Sequence, residues 1–166
     1  MRYLKENTQN VLVQLATYLT TNQLTISCAE SCTGGGLAYA FTSLPGSSAW
    51  FKHSVVTYSN EAKQAMVGVS CDTLTRYGAV SAQTVSEMAN GVVSQVGADI
   101  GISISGIAGP DGGSVEKPVG TVYFGFVVNG VTYTQHMCFA GDREDVRQQS
   151  IDYAIEQIVH LLSIQN

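Results

Sequence analysis

Apolar positions along this chain follow two alternating rhythms. Near the N-terminus Leu4, Val11, Leu15 and Leu19 fall on one helical face, which predicts a helix over Tyr3 to Thr20. Leu24 to Ala29 is short, apolar and β-compatible, and it runs into Glu30-Ser31-Cys32-Thr33-Gly34-Gly35-Gly36. A helix from about Thr33 to Leu44 would stop at the Pro45-Gly46 breaker. Ser54 to Tyr58 reads as a second strand, and Asn60 can cap a helix reaching about Val67. Ser81 can cap a longer helix, in which Val85, Met88, Ala89, Val92, Val93 and Val96 form a stripe. Ile100 to Ile104 is a third apolar strand, and a glycine-rich loop follows it. Gly120 to Val128 and Val131 to Phe139 flank Asn129-Gly130, a strong hairpin signal. Asp142 can cap a terminal helix carrying Val146, Ile151, Ile155, Ile158, Leu161 and Leu162.

Strands alternating with helices and closed by a hairpin predict an α/β fold, a mixed and mostly parallel sheet covered on both faces by helices. We expect one domain over residues 1–166, since a chain of this length can bury a real core. In such folds ligands gather where strand C-termini feed into helices. Three loops occupy that position, following Ala29, Tyr58 and Ile104.

Composition narrows the function classes. Hydrophobic residues make up 45% and charged residues 13%, which argues against disorder. A net charge of −5 with only eight Lys and Arg, in no run, argues against general nucleic-acid binding, which needs clustered cations. Any phosphate site is therefore local. Met1 to Asn10 is polar, no stretch approaches the ~20 apolar residues of a membrane span, and we expect a cytoplasmic protein without a membrane partner. Cys28, Cys32, Cys71 and Cys138 then read as small buried hydrophobes. The C-x3-C spacing of the first two has no matching pair elsewhere, so no metal site is expected.

The candidate chemistry begins at Ser31. A serine between a strand end and a glycine-rich helix start sits where unpaired backbone N–H groups point outward, and those donors suit an oxyanion. Thr33, Gly34 and Gly35 are the expected donors, the glycines allowing a substrate close to the backbone. The competing reading is that Ser31 or Thr33 simply caps the helix. His53, His136 and His160 lie within or beside regular elements and read as structural or exposed, so a base must come from elsewhere. Lys63 would sit third in the helix capped by Asn60, at its positive end, where the field lowers a lysine's pKa; Glu61 opposes that, and a plain surface lysine is the alternative. Tyr58, five residues earlier, could bring its hydroxyl near both as relay or donor, or be an ordinary strand-end aromatic. In the second glycine-rich segment, Ser105, Gly106, Gly109, Pro110, Gly112 and Gly113 resemble a backbone nest for anions. Lys117, Arg143 and Arg147 could add phosphate-binding charge, the last two sharing a helix face. A flexible loop and a solvated helix end are the competing explanation.

Several ordered blocks carry a family resemblance. Ala29-Glu30-Ser31-Cys32-Thr33-Gly34-Gly35, Tyr58-Ser59-Asn60-Glu61-Ala62-Lys63, Gly78-Ala79-Val80-Ser81, Gly106 to Gly113, Lys117 to Val122 and Gly141-Asp142-Arg143 together resemble the CinA C-terminal domain family. The match runs from about residue 10 to 162 and is most similar to the family's stand-alone nicotinamide-nucleotide amidases. That resemblance implies a three-layer α/β/α sandwich and hydrolysis of nicotinamide mononucleotide to nicotinate mononucleotide and ammonia, with no cofactor or metal. It implies the family's serine, tyrosine and lysine at Ser31, Tyr58 and Lys63, and a homo-oligomer, which suits the low surface charge. Gly36 stands where many members carry a larger aliphatic residue, and Ser105 where a threonine is usual. Two alternatives stay open: a nucleotide-binding or regulatory module without chemistry, and an amidase for another small carboxamide.

Overall fold

Helix α1 (Glu6–Thr21) precedes strand β1 (Ile26–Glu30), helix α2 (Gly36–Thr42), a short 3-10 turn (Ser47–Ala49) and strand β2 (Phe51–Val56). Three helices follow, α3 (Asn60–Val67), α4 (Cys71–Tyr77) and α5 (Ala82–Val96). The chain then runs through strands β3 (Ile100–Gly106), β4 (Thr121–Val128) and β5 (Val131–Cys138) into helix α6 (Arg143–Leu161). These elements come from a computed structural model, which describes residues 4–163; Tyr3, assigned to the first helix by the apolar pattern, lies outside them.

The five strands form one sheet in the order β2-β1-β3-β4-β5. β1 runs parallel to both β2 and β3, while β3–β4 and β4–β5 are antiparallel. The ladder is thus mixed in equal parts by pairing, with the parallel half forming the site. One face packs against α1, α2 and α6 through Ile26, Cys28, Ile102, Phe124 and Phe126. The other carries α5, with α3 and α4 beside it, around Ala29, Val55, Val67, Leu74 and Met88. Residues 28 and 29 of β1 face opposite cores, as the two-residue period of a strand requires.

The chain leaves β1 for β2 through α2 and leaves β2 for β3 through α3, α4 and α5, so its direction across the sheet reverses at β1. The crevice beyond the C-terminal ends of such neighbouring strands is where doubly wound folds bind ligands.

Most predicted elements are present within a few residues. Asn129 (φ 51°) and Gly130 (φ 74°) occupy the left-handed region, as the hairpin turn requires. Asp142 caps α6 in a capping box with Asp145, and Ser81 caps α5. Four expectations need correction. α3 is capped by Ser59, whose Oγ accepts from the Ala62 N–H at 3.1 Å, so Asn60 is its first residue and Lys63 its fourth. α2 begins at Gly36, after a turn. α4 was not anticipated; Thr and Cys are weak helix formers, and this helix rests on a Ser70 cap, on packing of Leu74 and on Gly78 as its stop. Cys71 and Cys138 are exposed, one in the first turn of α4 and the other on the edge strand β5.

Gly91 sets how closely α3 lies on α5, since a Cβ there would overlap the Val67 carbonyl. Gly91→Ala must push apart the helices that hold Lys63. We expect a loss of about 1–3 kcal/mol, a fall of roughly 3–10 °C in Tm, measurable by calorimetry.

Candidate active site

β1 closes on Glu30, and the Ser31 N–H still bonds the Ile104 carbonyl of β3 at 2.9 Å. The chain then coils tightly: the Gly34 N–H donates to the Ser31 carbonyl (3.0 Å) and the Gly36 N–H to the Thr33 carbonyl (3.1 Å). Gly35 adopts φ 93°, a conformation that disfavours any side chain. Neither Ser31 nor Thr33 caps the helix. The cap is Glu30, fully buried, whose Oε2 accepts from Thr33 Oγ1 (2.6 Å), Gly35 N (3.1 Å) and Leu37 N (3.0 Å), and whose Oε1 accepts from Ala38 N (2.9 Å). A carboxylate at a helix N-terminus satisfies the orphan donors and opposes the helix dipole. Ser31 Oγ is therefore left for another partner.

That partner is Lys63. β2 ends at Val56, the Thr57 N–H bonds the Glu30 carbonyl at 2.7 Å, and α3 turns Lys63 inward at 1% exposure. Its Nζ donates to the Thr57 carbonyl at 2.8 Å and to Ser31 Oγ at 3.1 Å. Burial lowers the Lys63 pKa below the ordinary 10.5. Ionised Cys32 would oppose this, but burial of that thiol, with weaker help from Glu30, pushes its own pKa up to about 12, so at neutral pH it is uncharged. Glu61, expected to oppose the shift, folds back on its own N–H and Ser59 instead.

A pocket of ≈ 240 Å³ opens over this pair, lined by Ser31, Cys32, Tyr58, Asn60, Lys63, Ala79, Val80, Ser105, Gly106, Ala108 and Arg143. The three loops named from the sequence therefore converge. Tyr58 is exposed at the lip, its hydroxyl accepting from Arg143 Nη2 at 3.0 Å rather than bonding Ser31 or Lys63. Arg143 also donates to the Gly109 carbonyl at 2.8 Å. Ser105 Oγ is turned to the Ala79 carbonyl at 2.8 Å, tying the third loop to a fourth. Pro110 lies in an adjoining groove of ≈ 470 Å³ with Val119, Gly141, Asp142 and Glu144, which shares Ala108 and Arg143 with the pocket.

Other predicted residues take different places. The Gly34 and Gly35 N–H groups are already bonded within the protein, and the Thr33 hydroxyl belongs to Glu30. Gly112 and Gly113 are exposed and line neither cavity, because the loop turns on itself through the bond from Ser114 N to the Lys117 carbonyl at 2.9 Å. Lys117 is spent on the carbonyls of Tyr77 (3.1 Å) and Val80 (2.6 Å), at the C-terminal end of α4. Arg147 grips the Cys32 and Thr33 carbonyls, both at 3.2 Å. Of the three candidate phosphate cations, Arg143 alone lines the pocket. Among the described residues no group of three or more His, Cys, Asp or Glu side chains is placed to hold a metal, and no helix is long and apolar enough to cross a membrane.

With this geometry in view, the comparison with known proteins is decisive for family. Residues 8–162 match the model of the CinA C-terminal domain. The chain belongs to the CinA C-terminal domain family. Within it, the chain is 57% identical over 132 residues to nicotinamide-nucleotide amidohydrolase PncC of Enterobacter agglomerans, covering 79% of this chain and 80% of that one. It is 51% identical over 146 residues to the protein of the same name from Escherichia coli K12, covering 87% and 88%. The crystal structure of competence damage-inducible protein A (ComA) from Klebsiella pneumoniae superposes with a TM-score of 0.91 at 39% identity, over 96% of this chain and 99% of that one. The α/β fold of CinA C-terminal domains is thus the fold of this chain.

The most informative residue missed in the sequence is Glu30. A helix that begins on the last of three glycines has no local side-chain cap, and an acid at the preceding strand end is the available acceptor. Asn60, Ala79 and Val80 were also missed as pocket walls, although each lay inside a block shared with CinA C-terminal domains. Gly36 has a local compensation: a Cβ there would meet Ile151 Cδ1 at 2.5 Å, so α6 fills the space of the usual aliphatic side chain.

Proposed function

We propose that this CinA-family chain is an amidase that hydrolyses the carboxamide of nicotinamide mononucleotide, with Ser31 as nucleophile and Lys63 as base. The observation that carries the reading is the buried Lys63 amine 3.1 Å from Ser31 Oγ, at the floor of a pocket. The substrate comes from the 51–57% identity to proteins named as nicotinamide-nucleotide amidohydrolases.

Neutral Lys63 takes the Ser31 hydroxyl proton as Oγ bonds the carboxamide carbon. The oxyanion forms beside the turn amides of Cys32 and Thr33. Collapse breaks the C–N bond, Lys63 returns its proton to the leaving nitrogen, and ammonia departs. Water, deprotonated by Lys63, then attacks the acyl-enzyme; the C–Oγ bond breaks as Lys63 returns that proton to Ser31 Oγ, and the acid product leaves and ionises to the carboxylate. Tyr58, at the lip and held by Arg143, walls the aromatic ring. The pocket is smaller than the ~300 Å³ lower end for drug-sized ligands, so the ring enters and the ribose phosphate extends past Arg143.

Since the amine must be neutral, kcat/KM should rise with pH through the Lys63 pKa, with the midpoint of its acid limb below 10.5. The linkage has the same direction. Between the folded and unfolded pKa values the unfolded chain binds more protons, so the cost of burying Lys63 is largest at low pH and fades as pH rises. A pH–rate profile of Lys63→Arg that kept the wild-type shape would remove Lys63 as base.

The substrate is tested by ammonia release from nicotinamide, its riboside and its mononucleotide. The mononucleotide should be preferred, and Arg143→Gln should raise its KM roughly 10- to 100-fold, with a smaller rise for the riboside, whose ring also meets the Tyr58 that Arg143 holds. Equal rates on free nicotinamide would point instead to a general small-carboxamide amidase. Tight nucleotide binding without ammonia would point to a module without chemistry. A homo-oligomer would cover Val131, Tyr133 and Met137, exposed on the edge strand β5, and four free cysteines suit a reducing cytoplasm.

A further inference from the structure

We propose that Arg147, reached from α6 and not itself in the pocket, is a positioning residue that orients the oxyanion donors of the turn after Ser31. The inference rests on the amidase reading above and assigns a cause to its transition-state stabilisation. Three successive carbonyls of the turn each have a donor. That of Ser31 accepts from Gly34 N, and that of Thr33 accepts from Gly36 N and from Arg147 Nη2 at 3.2 Å. The Cys32 carbonyl has no backbone donor among the described residues; Arg147 Nε, at 3.2 Å, is its partner. Glu144 steadies the other edge of the guanidinium, Nη1 to Oε2 at 3.0 Å.

The consequence lies at the opposite edge of each peptide. The Ser31–Cys32 and Cys32–Thr33 bonds are trans, so each N–H points opposite to its carbonyl. The Cys32 N–H faces only its own sulfur, and the Thr33 N–H has no acceptor among the described residues. These are the turn's uncommitted donors, one on the residue after the nucleophile. The Cys32–Thr33 peptide is anchored by a side chain alone and is followed by Gly34 in the left-handed region at φ 60°. Without the guanidinium it is free to rotate, exchanging a donor for a carbonyl where negative charge develops. A planar fork can hold two adjacent carbonyls at once, which an ammonium cannot do with the same rigidity.

The position had an obvious alternative role, a cation for the substrate phosphate, and the experiment separates the two. Arg147→Met and Arg147→Lys are compared with the unaltered chain on nicotinamide mononucleotide and on the riboside. Positioning predicts that kcat falls by the same factor on both, roughly 10²-fold for Arg147→Met and less for Arg147→Lys, with KM within about threefold. It also predicts slower labelling of Ser31 by a fluorophosphonate, read by intact mass, and unchanged nucleotide affinity when Arg147→Met is placed in a Ser31→Ala background. A rise in KM or Kd confined to the mononucleotide would make Arg147 a phosphate ligand and overturn the proposal. So would unchanged kcat and labelling in folded variants. If the unaltered chain releases no ammonia from either substrate, the amidase reading fails, while the labelling rates still decide the role of Arg147.

Discussion

Ser31→Ala is expected to abolish ammonia release, lowering kcat by about 10⁴- to 10⁶-fold, the range seen when a serine hydrolase loses its nucleophile. Three features of the site make this a clean test. The helix after the turn is capped by Glu30 and not by Ser31, so deleting the hydroxyl leaves α2 in place. Lys63 keeps its bond to the Thr57 carbonyl, so its amine is not stranded. The neighbouring thiol cannot substitute, because burial holds the Cys32 pKa near 12 and leaves almost no thiolate at neutral pH. The variant should therefore melt near the wild-type temperature and bind nicotinamide mononucleotide with similar affinity by calorimetry. Turnover that survived the substitution would move the chemistry to another residue.

The largest structural effect is expected at Glu30. Glu30→Ala removes the acceptor of three backbone N–H groups and of the Thr33 hydroxyl; the bonds from Thr33 and Leu37 are buried and those from Gly35 and Ala38 partly so. An orphaned buried donor costs about 1–3 kcal/mol, and such losses within one network are not additive, so we expect a total of about 3–5 kcal/mol. For a chain of this size that is a fall of roughly 10 °C or more in Tm. Glu30→Gln keeps the shape but turns an NH₂ toward donors on one side, so a smaller loss is expected, with activity falling more than stability. Calorimetry and ammonia release on both variants give the comparison; an unaltered melting curve for Glu30→Ala would show that the carboxylate is not the cap.

What links these two predictions is a division of labour at the end of β1. Adjacent residues serve opposite sides of the sheet edge: Glu30 organises α2 beneath, and Ser31 meets α3 across the crevice. The close approach of α3 to α5 at Gly91 fixes the second half of that meeting. A change there should act on activity as well as stability, since Lys63 travels with α3.

Much of this was legible along the chain because it depends on local rules. The stripe of α5, the Asn-Gly hairpin and the Asp142 cap each arise from periodicity or from a side chain bonding its own neighbourhood. The glycine turn marked Ser31, and the first turn of a helix marked Lys63. The one-residue error at Ser59 and Asn60 shows the limit of such rules: both are good caps, and they stand side by side. Which one caps decides whether Lys63 is third or fourth in the helix.

Charge was less legible than pattern. Lys117, Arg143 and Arg147 looked alike as candidate phosphate cations, yet Lys117 is committed to the carbonyls of Tyr77 and Val80 and Arg147 to those of Cys32 and Thr33, all 37 or more residues away, while Arg143, which also holds the Gly109 carbonyl, lines the pocket. Likewise Gly34 and Gly35 looked like free donors until Ser31 and Glu30 claimed them. Local order along the chain specifies the helices, the strands and the three loops bearing a hydroxyl, an amine and a phenol, because those features come from bonds and burial over a few residues. The pairing of Ser31 with Lys63, the commitment of Glu30 beneath them and the grip of Arg147 from α6 belong to the folded molecule. A hydrogen bond over three ångströms depends on where distant elements pack, and packing is a property of the whole sheet and its two covering layers.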